Sequence, residues 1–181
     1  MNHDSYTDDY IADILANARS FAIVGASANT NRPSYFAMKY LLGKGYDVIP
    51  VNPGLAGQTL LGQTVYGSLG ELPGTADIID IFRNAEAAGA IVKDVLSLRE
   101  KLRPGVVWMQ LSVRNDAAAQ EAEAAGLKVV MNRCPKIEYG RLSGELNWSG
   151  VYSGAISSAR PKLSPKGFQS HVVGAGGRKP S

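Results

Sequence analysis

The sequence predicts an α/β protein: a doubly wound, mainly parallel five-stranded sheet with helices on both faces. Three observations predict it. Five short apolar runs recur along the chain, successive runs are separated by roughly the length of a helical crossover, and the first run ends at a glycine followed by a polar loop and a proline suited to a helix start. With 181 residues, 45% of them apolar, the chain is long enough for one good core and too short for two ordinary domains.

The elements follow in order. A helical segment over 8–18 opens the chain, and Phe21-Ala22-Ile23-Val24 reads as a buried strand because it is a brief apolar run closed by Gly25. A polar loop runs to Arg32. Pro33 and Ser34 then open a helix whose apolar face is supplied by Phe36, Ala37, Tyr40 and Leu41, and which Gly43 and Gly45 stop. A second strand over 46–51 ends in the turn signal Asn52-Pro53-Gly54. Residues 55–73 are glycine-rich and irregular, with at most a short strand at 64–66. The alternation then resumes: strand 78–82, helix 85–98, strand 106–109, helix 116–125 and strand 127–131, before a short helix following Cys134-Pro135. Beyond Ser158 the chain is rich in Pro, Gly, Ser and Lys and has too few apolar residues to pack. This gives an N-terminal helical segment over 1–19, a Rossmann-like domain with a C-terminal extension over 20–159, and a disordered basic tail over 160–181. A flavodoxin-like arrangement shares the same alternation, and periodicity alone does not choose between the two.

Composition narrows the function. The formal charge is +3, but Arg160, Lys162, Lys166, Arg178 and Lys179 all follow Ala159, where there is no Asp or Glu. Without them the remainder carries −2, so no basic stripe is available for a nucleic-acid backbone. The single cysteine, Cys134, excludes an intramolecular disulfide and fits a reducing compartment. His3 and His171 fall in expected tails, so no zinc-type cluster forms around that cysteine. No signal peptide and no apolar run of membrane-spanning length is visible, which makes the cytoplasm the expected location.

In a doubly wound sheet, ligands bind beyond the carboxyl ends of the strands. Four segments meet there: 25–34, 52–54, 82–84 and 110–112. The first carries the most chemistry. Gly25, Ala26 and Ser27 let backbone N–H groups approach an anion, Pro33 and Ser34 open a helix whose positive dipole end faces the same place, and Arg32 adds a full charge. Any strand-to-helix turn in such a fold needs a glycine and a polar helix start, so Gly25 alone is uninformative; its combination with Arg32-Pro33-Ser34 suits a diphosphate. A nicotinamide dinucleotide fits poorly. The second and third glycines of G-x-G-x-x-G are missing from Gly25-Ala26-Ser27-Ala28-Asn29-Thr30, and the second strand ends in Val51-Asn52-Pro53 without the ribose-binding carboxylate.

Six segments in order give the chain a family resemblance over about residues 10–159: Ile23-Val24-Gly25-Ala26-Ser27, Asn31-Arg32-Pro33-Ser34-Tyr35, Val48-Ile49-Pro50-Val51-Asn52-Pro53 with Val65-Tyr66, Asp80-Ile81-Phe82-Arg83, Val107-Trp108-Met109-Gln110-Leu111, and Asn132-Arg133-Cys134-Pro135-Lys136-Ile137-Glu138. The sequence resembles the stand-alone CoA-binding proteins, whose domain is similar to the nucleotide-binding part of the succinyl-CoA synthetase α subunit. The resemblance implies a Rossmann-like fold binding coenzyme A or an acyl-CoA. Gly25, Ala26, Ser27, Arg32 and Ser34 are implied as phosphate contacts, beside Pro33, with the adenosine and phosphate part near Asn52, Pro53, Phe82 and Arg83. Asn132 stands where the family usually carries an acidic residue.

No catalytic set accompanies this site. The synthetases use a phosphorylated histidine in a second domain, and this chain has neither. Asp80 and Glu138 read as a strand-end residue and a helix-surface charge, and no Ser–His–acid set can be assembled. Cys134 reads as a buried small residue, with exchange against a bound CoA thiol as its reactive alternative. Trp108 reads as core, while Trp148 and Tyr152 either cover a sheet edge or join a homodimer interface. The expected function is therefore a binding, sensing or carrier module. An NAD(P)-linked oxidoreductase with an atypical loop and an adaptor with an empty nucleotide site are the alternatives.

Overall fold

The architecture follows from a computed structural model that describes residues 1–144. Helix α1 (Asp8–Asn17) is capped by Thr7, whose side chain accepts from the Tyr10 N–H, and it carries Asp8 and Asp9 at its positive end. Strand β1 (Ser20–Val24) leads through a loop to α2 (Pro33–Gly43), then to β2 (Asp47–Val51). A small antiparallel hairpin, β3 (Thr59–Leu60) and β4 (Gln63–Thr64), precedes β5 (Ile78–Ile81). The remaining elements are α3 (Ala85–Ser97), α4 (Arg99–Leu102), β6 (Val106–Met109), α5 (Asp116–Ala124), β7 (Lys128–Val130) and α6 (Pro135–Leu142).

The five long strands form one parallel sheet in the order β2-β1-β5-β6-β7. The expected short strand at 64–66 is divided: Thr64 pairs with Thr59 in the hairpin, and Tyr66 makes one parallel bridge to Val51 of β2. The Tyr66 N–H donates to the Pro50 carbonyl at 2.9 Å, and the Asn52 N–H donates to the Tyr66 carbonyl at 2.8 Å. With that remnant counted as the third strand, the order is third, second, first, fourth, fifth, sixth. This is the Rossmann arrangement, whereas the five hydrogen-bonded strands alone run second, first, third, fourth, fifth, an order that a flavodoxin-like sheet shares.

Successive residues of each strand serve opposite faces. Phe21, Ile23, Ile78, Val106 and Trp108 pack with α1, α2 and α6, while Ala22, Ile79, Ile81, Val107 and Met109 pack with α3 and α5. Central strands covered on both faces read as apolar runs, interrupted in β5 by Asp80, which is why the sequence disclosed them. Trp108 is fully buried in the core, as expected, and its indole N–H donates to the Arg133 carbonyl at 2.8 Å.

Three expectations need correction. In α2 the buried positions are Ser34, Ala37, Met38 and Leu41, and Phe36 is 48% exposed, so the apolar face is rotated away from Phe36. Glu138 is buried, not a surface charge: Arg141 binds it at 2.8 Å and Arg133 lies 3.6 Å away. His3 is likewise buried and not in a frayed tail; its Nδ1 lies 2.9 Å from the Tyr6 hydroxyl and its Nε2 lies 3.4 Å from Glu123. The opening residues are polar enough to look unstructured, yet two tyrosines anchor them along β7. The Tyr6 hydroxyl accepts from the Met131 N–H at 2.7 Å, and the Tyr10 hydroxyl donates to the Val129 carbonyl at 3.2 Å. The expected extension to residue 159, with Trp148 and Tyr152, and the basic tail over 160–181 with His171 lie outside the described residues. Among the described residues no helix is long and apolar enough to cross a membrane.

Candidate functional site

The chain leaves β1 in one direction for β2 and returns on its other side as β5, so the topological switch point lies at the carboxyl ends of β1 and β5. Gly25 sits there with φ +92°. Its N–H donates to the Val51 carbonyl at 2.9 Å and the Ala26 N–H shares that acceptor at 3.3 Å, which ties the loop to the end of β2. A Cβ at position 25 would lie 2.7 Å from the Phe82 carbonyl oxygen and 3.0 Å from Arg83 Cδ. Glycine is therefore required by the protein's own backbone, since the exit from β5 crosses directly over it.

The rest of the loop is locally braced. The Ser27 hydroxyl oxygen accepts from the Asn29 N–H at 3.2 Å, Asn29 Oδ1 accepts from the Asn31 N–H at 2.9 Å, and the Arg32 N–H donates to the Asn29 carbonyl at 3.0 Å. Asn52 acts on the loop from β2: its Nδ2 donates to the Ala26 carbonyl at 2.6 Å and its Oδ1 accepts from the Gly54 N–H at 2.8 Å. Helix α2 starts with Pro33 in its first turn, and Arg32, at the N-cap, gives no side-chain cap. The Ser34 N–H has no backbone partner among the described residues, so the helix presents an unsatisfied donor and its positive end to the loop. The Ser34 side chain itself is only 3% exposed.

Arg32 and Arg83 are both exposed, and neither enters an ion pair among the described residues. The Arg83 side chain lies across Gly25, so one unpaired guanidinium belongs to each side of the loop. Phe82 is half-buried against the core, and Pro53 is exposed on the one-turn segment Pro53–Leu55 after β2. The structure thus brings all ten sequence-selected residues (Gly25, Ala26, Ser27, Arg32, Pro33, Ser34, Asn52, Pro53, Phe82 and Arg83) to one rim. It gives Asn52 a bracing part that sequence reasoning missed. Two concavities of about 270 and 280 Å³ lie elsewhere, one beside Asp77, Arg103 and Lys128 at the opposite end of the strands, the other among Tyr6, Arg133, Glu138 and Arg141. In the second, both arginines are already matched by Glu138 and Asp8.

Beneath the rim lies a polar pair. Asp80 is completely buried on the α1/α2/α6 face of β5, and Gln110 Nε2 donates to its two carboxylate oxygens at 2.9 and 3.0 Å. Burial pushes the Asp80 carboxyl up to about 8, with the Gln110 hydrogen bond acting in the opposite direction. The signal for it was an acidic residue inside Ile78-Ile79-Asp80-Ile81, too central for a strand-end charge. Cys134, at the N-cap of α6, is half-buried. Burial raises its thiol, opposed by the N–H groups of Ile137 and Lys136 and by the Lys136 charge, while Asp80 raises it further. A thiol so placed is mostly protonated at neutral pH, which weakens the reactive alternative. Asn132 holds a left-handed backbone (φ 53°) and its Oδ1 accepts from the N–H of Ser112, itself at φ 65°. Asparagine suits both tasks there.

The YneT protein of Bacillus subtilis is 33% identical over 129 residues, covering 71% of this chain and 91% of that protein. A solved hypothetical protein from Pyrococcus horikoshii is 35% identical with a TM-score of 0.70, covering 78% of this chain and 95% of its own. The structure of cell-free ID.343 from Thermus thermophilus is 34% identical with a TM-score of 0.70, covering 75% and 98%. The family model described as a CoA binding domain matches residues 19–140, a span that contains β1 through β7 and every residue of the rim. By that match the chain belongs to the CoA-binding domain family.

Proposed function

We propose that this protein is a non-catalytic module that binds coenzyme A or an acyl-CoA at the rim over residues 25–34, and so senses, buffers or delivers acyl-CoA in the cytoplasm. The observation that carries the reading is the pair of unpaired arginines, Arg32 and Arg83, flanking a loop at which the positive end of α2 is directed. Guanidinium groups with no ion-pair partner among the described residues, beside a helix N–H with no backbone partner there, favour a phosphorylated ligand. Backbone N–H groups of the loop and Ser34 hold the diphosphate, and the Ser27 O–H remains able to donate. The adenosine part rests against Pro53 and Phe82. Arg83 and Arg32 share the phosphate charges, and Asn52 fixes the loop from below.

The test is thermal unfolding with CoA, dephospho-CoA, acetyl-CoA, NAD and NADP in parallel, followed by calorimetric titration. A ligand at 100 times its dissociation constant stabilises a fold by about 2.7 kcal/mol. CoA is expected to stabilise, dephospho-CoA less, and NAD not at all. Stabilisation by NAD or NADP alone would replace this reading with the oxidoreductase one; no stabilisation by any of the five would leave the empty-site adaptor.

A further inference from the structure

We propose that Asp80, hydrogen-bonded to Gln110 beneath the rim, makes ligand affinity pH-sensitive: the neutral carboxyl permits an anionic nucleotide above it, and its ionisation weakens the binding of that nucleotide. The inference rests on the CoA-binding reading and adds a regulation to the same site.

Placement is the first argument. Asp80 is paired in register with Ile23, two residues before Gly25, and it lies two residues before Phe82, whose carbonyl covers Gly25. At about 3.3 Å per residue along a strand, the carboxyl is on the order of 10 Å from a phosphate held at the loop. Little solvent screens that path, because Asp80 is completely buried between Ile23 and Trp108, and both neighbours are also buried.

The second argument is the absence of compensation. Among the described residues Asp80 has no cationic partner, and Gln110, itself buried, is its side-chain hydrogen-bond partner. Every element packed on this face is accounted for. Helix α1 buries Ile11, Ala12, Ile14 and Leu15, and the helical residues of α2 bury no ionisable side chain, while Lys44 at its C-cap is buried with its Nζ over the Tyr40 and Tyr139 rings rather than at Asp80. Helix α6 brings the Cys134 thiol, Lys136, whose Nζ lies over the Phe36 and Tyr40 rings, Tyr139, and Glu138, whose charge is matched by Arg141 and Arg133. A negative charge created at Asp80 is therefore felt by Cys134 below and by the ligand phosphates above. Burial, which holds the carboxyl neutral up to about pH 8, sets the range in which this happens. Two like charges about 10 Å apart at an intermediate effective dielectric change a binding constant about tenfold.

The experiment is titration of the full chain with acetyl-CoA, which has no free thiol, between about pH 6.5 and 9 at constant ionic strength. The dissociation constant of the unmutated protein is expected to rise about tenfold across that range, and that of Asp80→Asn, which keeps the shape and the partner for Gln110, to stay flat. A flat profile in the unmutated protein, or an unchanged slope in D80N, overturns the proposal. Acetyl-CoA that binds at no pH overturns the CoA reading instead. If D80N does not fold, calorimetry of the unmutated protein near pH 8 in two buffers of different ionisation enthalpy decides. Binding should take up a fraction of a proton as the ligand charge drives Asp80 back to its neutral form, and zero uptake overturns the proposal.

Discussion

Replacing Gly25 by alanine tests the geometry on which the whole rim depends. Two penalties follow from the structure. At φ +92° an L-residue is strained by about 1–2 kcal/mol, and the new methyl group would sit 2.7 Å from the Phe82 carbonyl oxygen and 3.2 Å from its carbon. Those are backbone atoms, anchored by the 2.8 Å hydrogen bond from the Phe82 N–H to the Val24 carbonyl, so they cannot rotate aside as a side chain would. Forcing such a contact apart costs about 1–3 kcal/mol, and the smaller entropy of an unfolded chain with alanine returns about 0.4–1 kcal/mol. The net expectation is a loss of about 2–4 kcal/mol in urea unfolding followed by circular dichroism. Because relief requires the exit from β5 to lift, carrying Arg83 with it, CoA affinity of the folded fraction should fall at least tenfold. A G25A protein within about 0.5 kcal/mol of the parent, with unchanged CoA affinity, would refute the close-approach argument.

Arg32→Ala removes an exposed guanidinium with no ion pair among the described residues, so stability should not change while CoA binding weakens by about 1.5–3 kcal/mol in calorimetry; unchanged affinity would move the phosphates off Arg32. Tyr6→Phe deletes the acceptor of the Met131 N–H and the partner of His3 Nδ1, and should cost about 1–3 kcal/mol in chemical unfolding, with faster hydrogen exchange at Met131. Asp80 also predicts the pH profile of stability. The native state keeps a proton that the unfolded chain releases near pH 4, so stability should fall as pH rises from about 4 to about 8 and level off above, by as much as about 5 kcal/mol, a slope that Asp80→Asn should abolish.

Strands buried on both faces were legible because they are almost wholly apolar; in β6 Val106 through Met109 are all apolar and buried, and in β5 only Asp80 breaks the run. The first loop was legible because its residue types are chemically unusual together. What the sequence concealed depends on partners distant along the chain. The anchoring of His3 needs Glu123, and the bracing of the loop by Asn52 joins residues 26 positions apart. Burial of Glu138 needs arginines on either side of it, one before α6 and one within it. Asp80 was readable as an anomaly in an apolar run, but its state depends on Gln110, 30 residues later. The 64–66 segment was too short for its pairing to show, although one bridge there extends the sheet beyond β2 toward the Rossmann order.

That bridge and the two tyrosine hydroxyls on β7 have a joint consequence for assembly. The open flank of β2 carries Pro50, which has no N–H to offer, and the carbonyl of Pro50 is already taken by Tyr66. On the opposite flank, the Tyr10 and Tyr6 hydroxyls occupy the Val129 carbonyl and the Met131 N–H. An incoming strand from another copy would find part of the hydrogen-bonding positions at each edge already taken, at Pro50 and Asn52 on one flank and at Val129 and Met131 on the other, which works against edge-to-edge polymerisation.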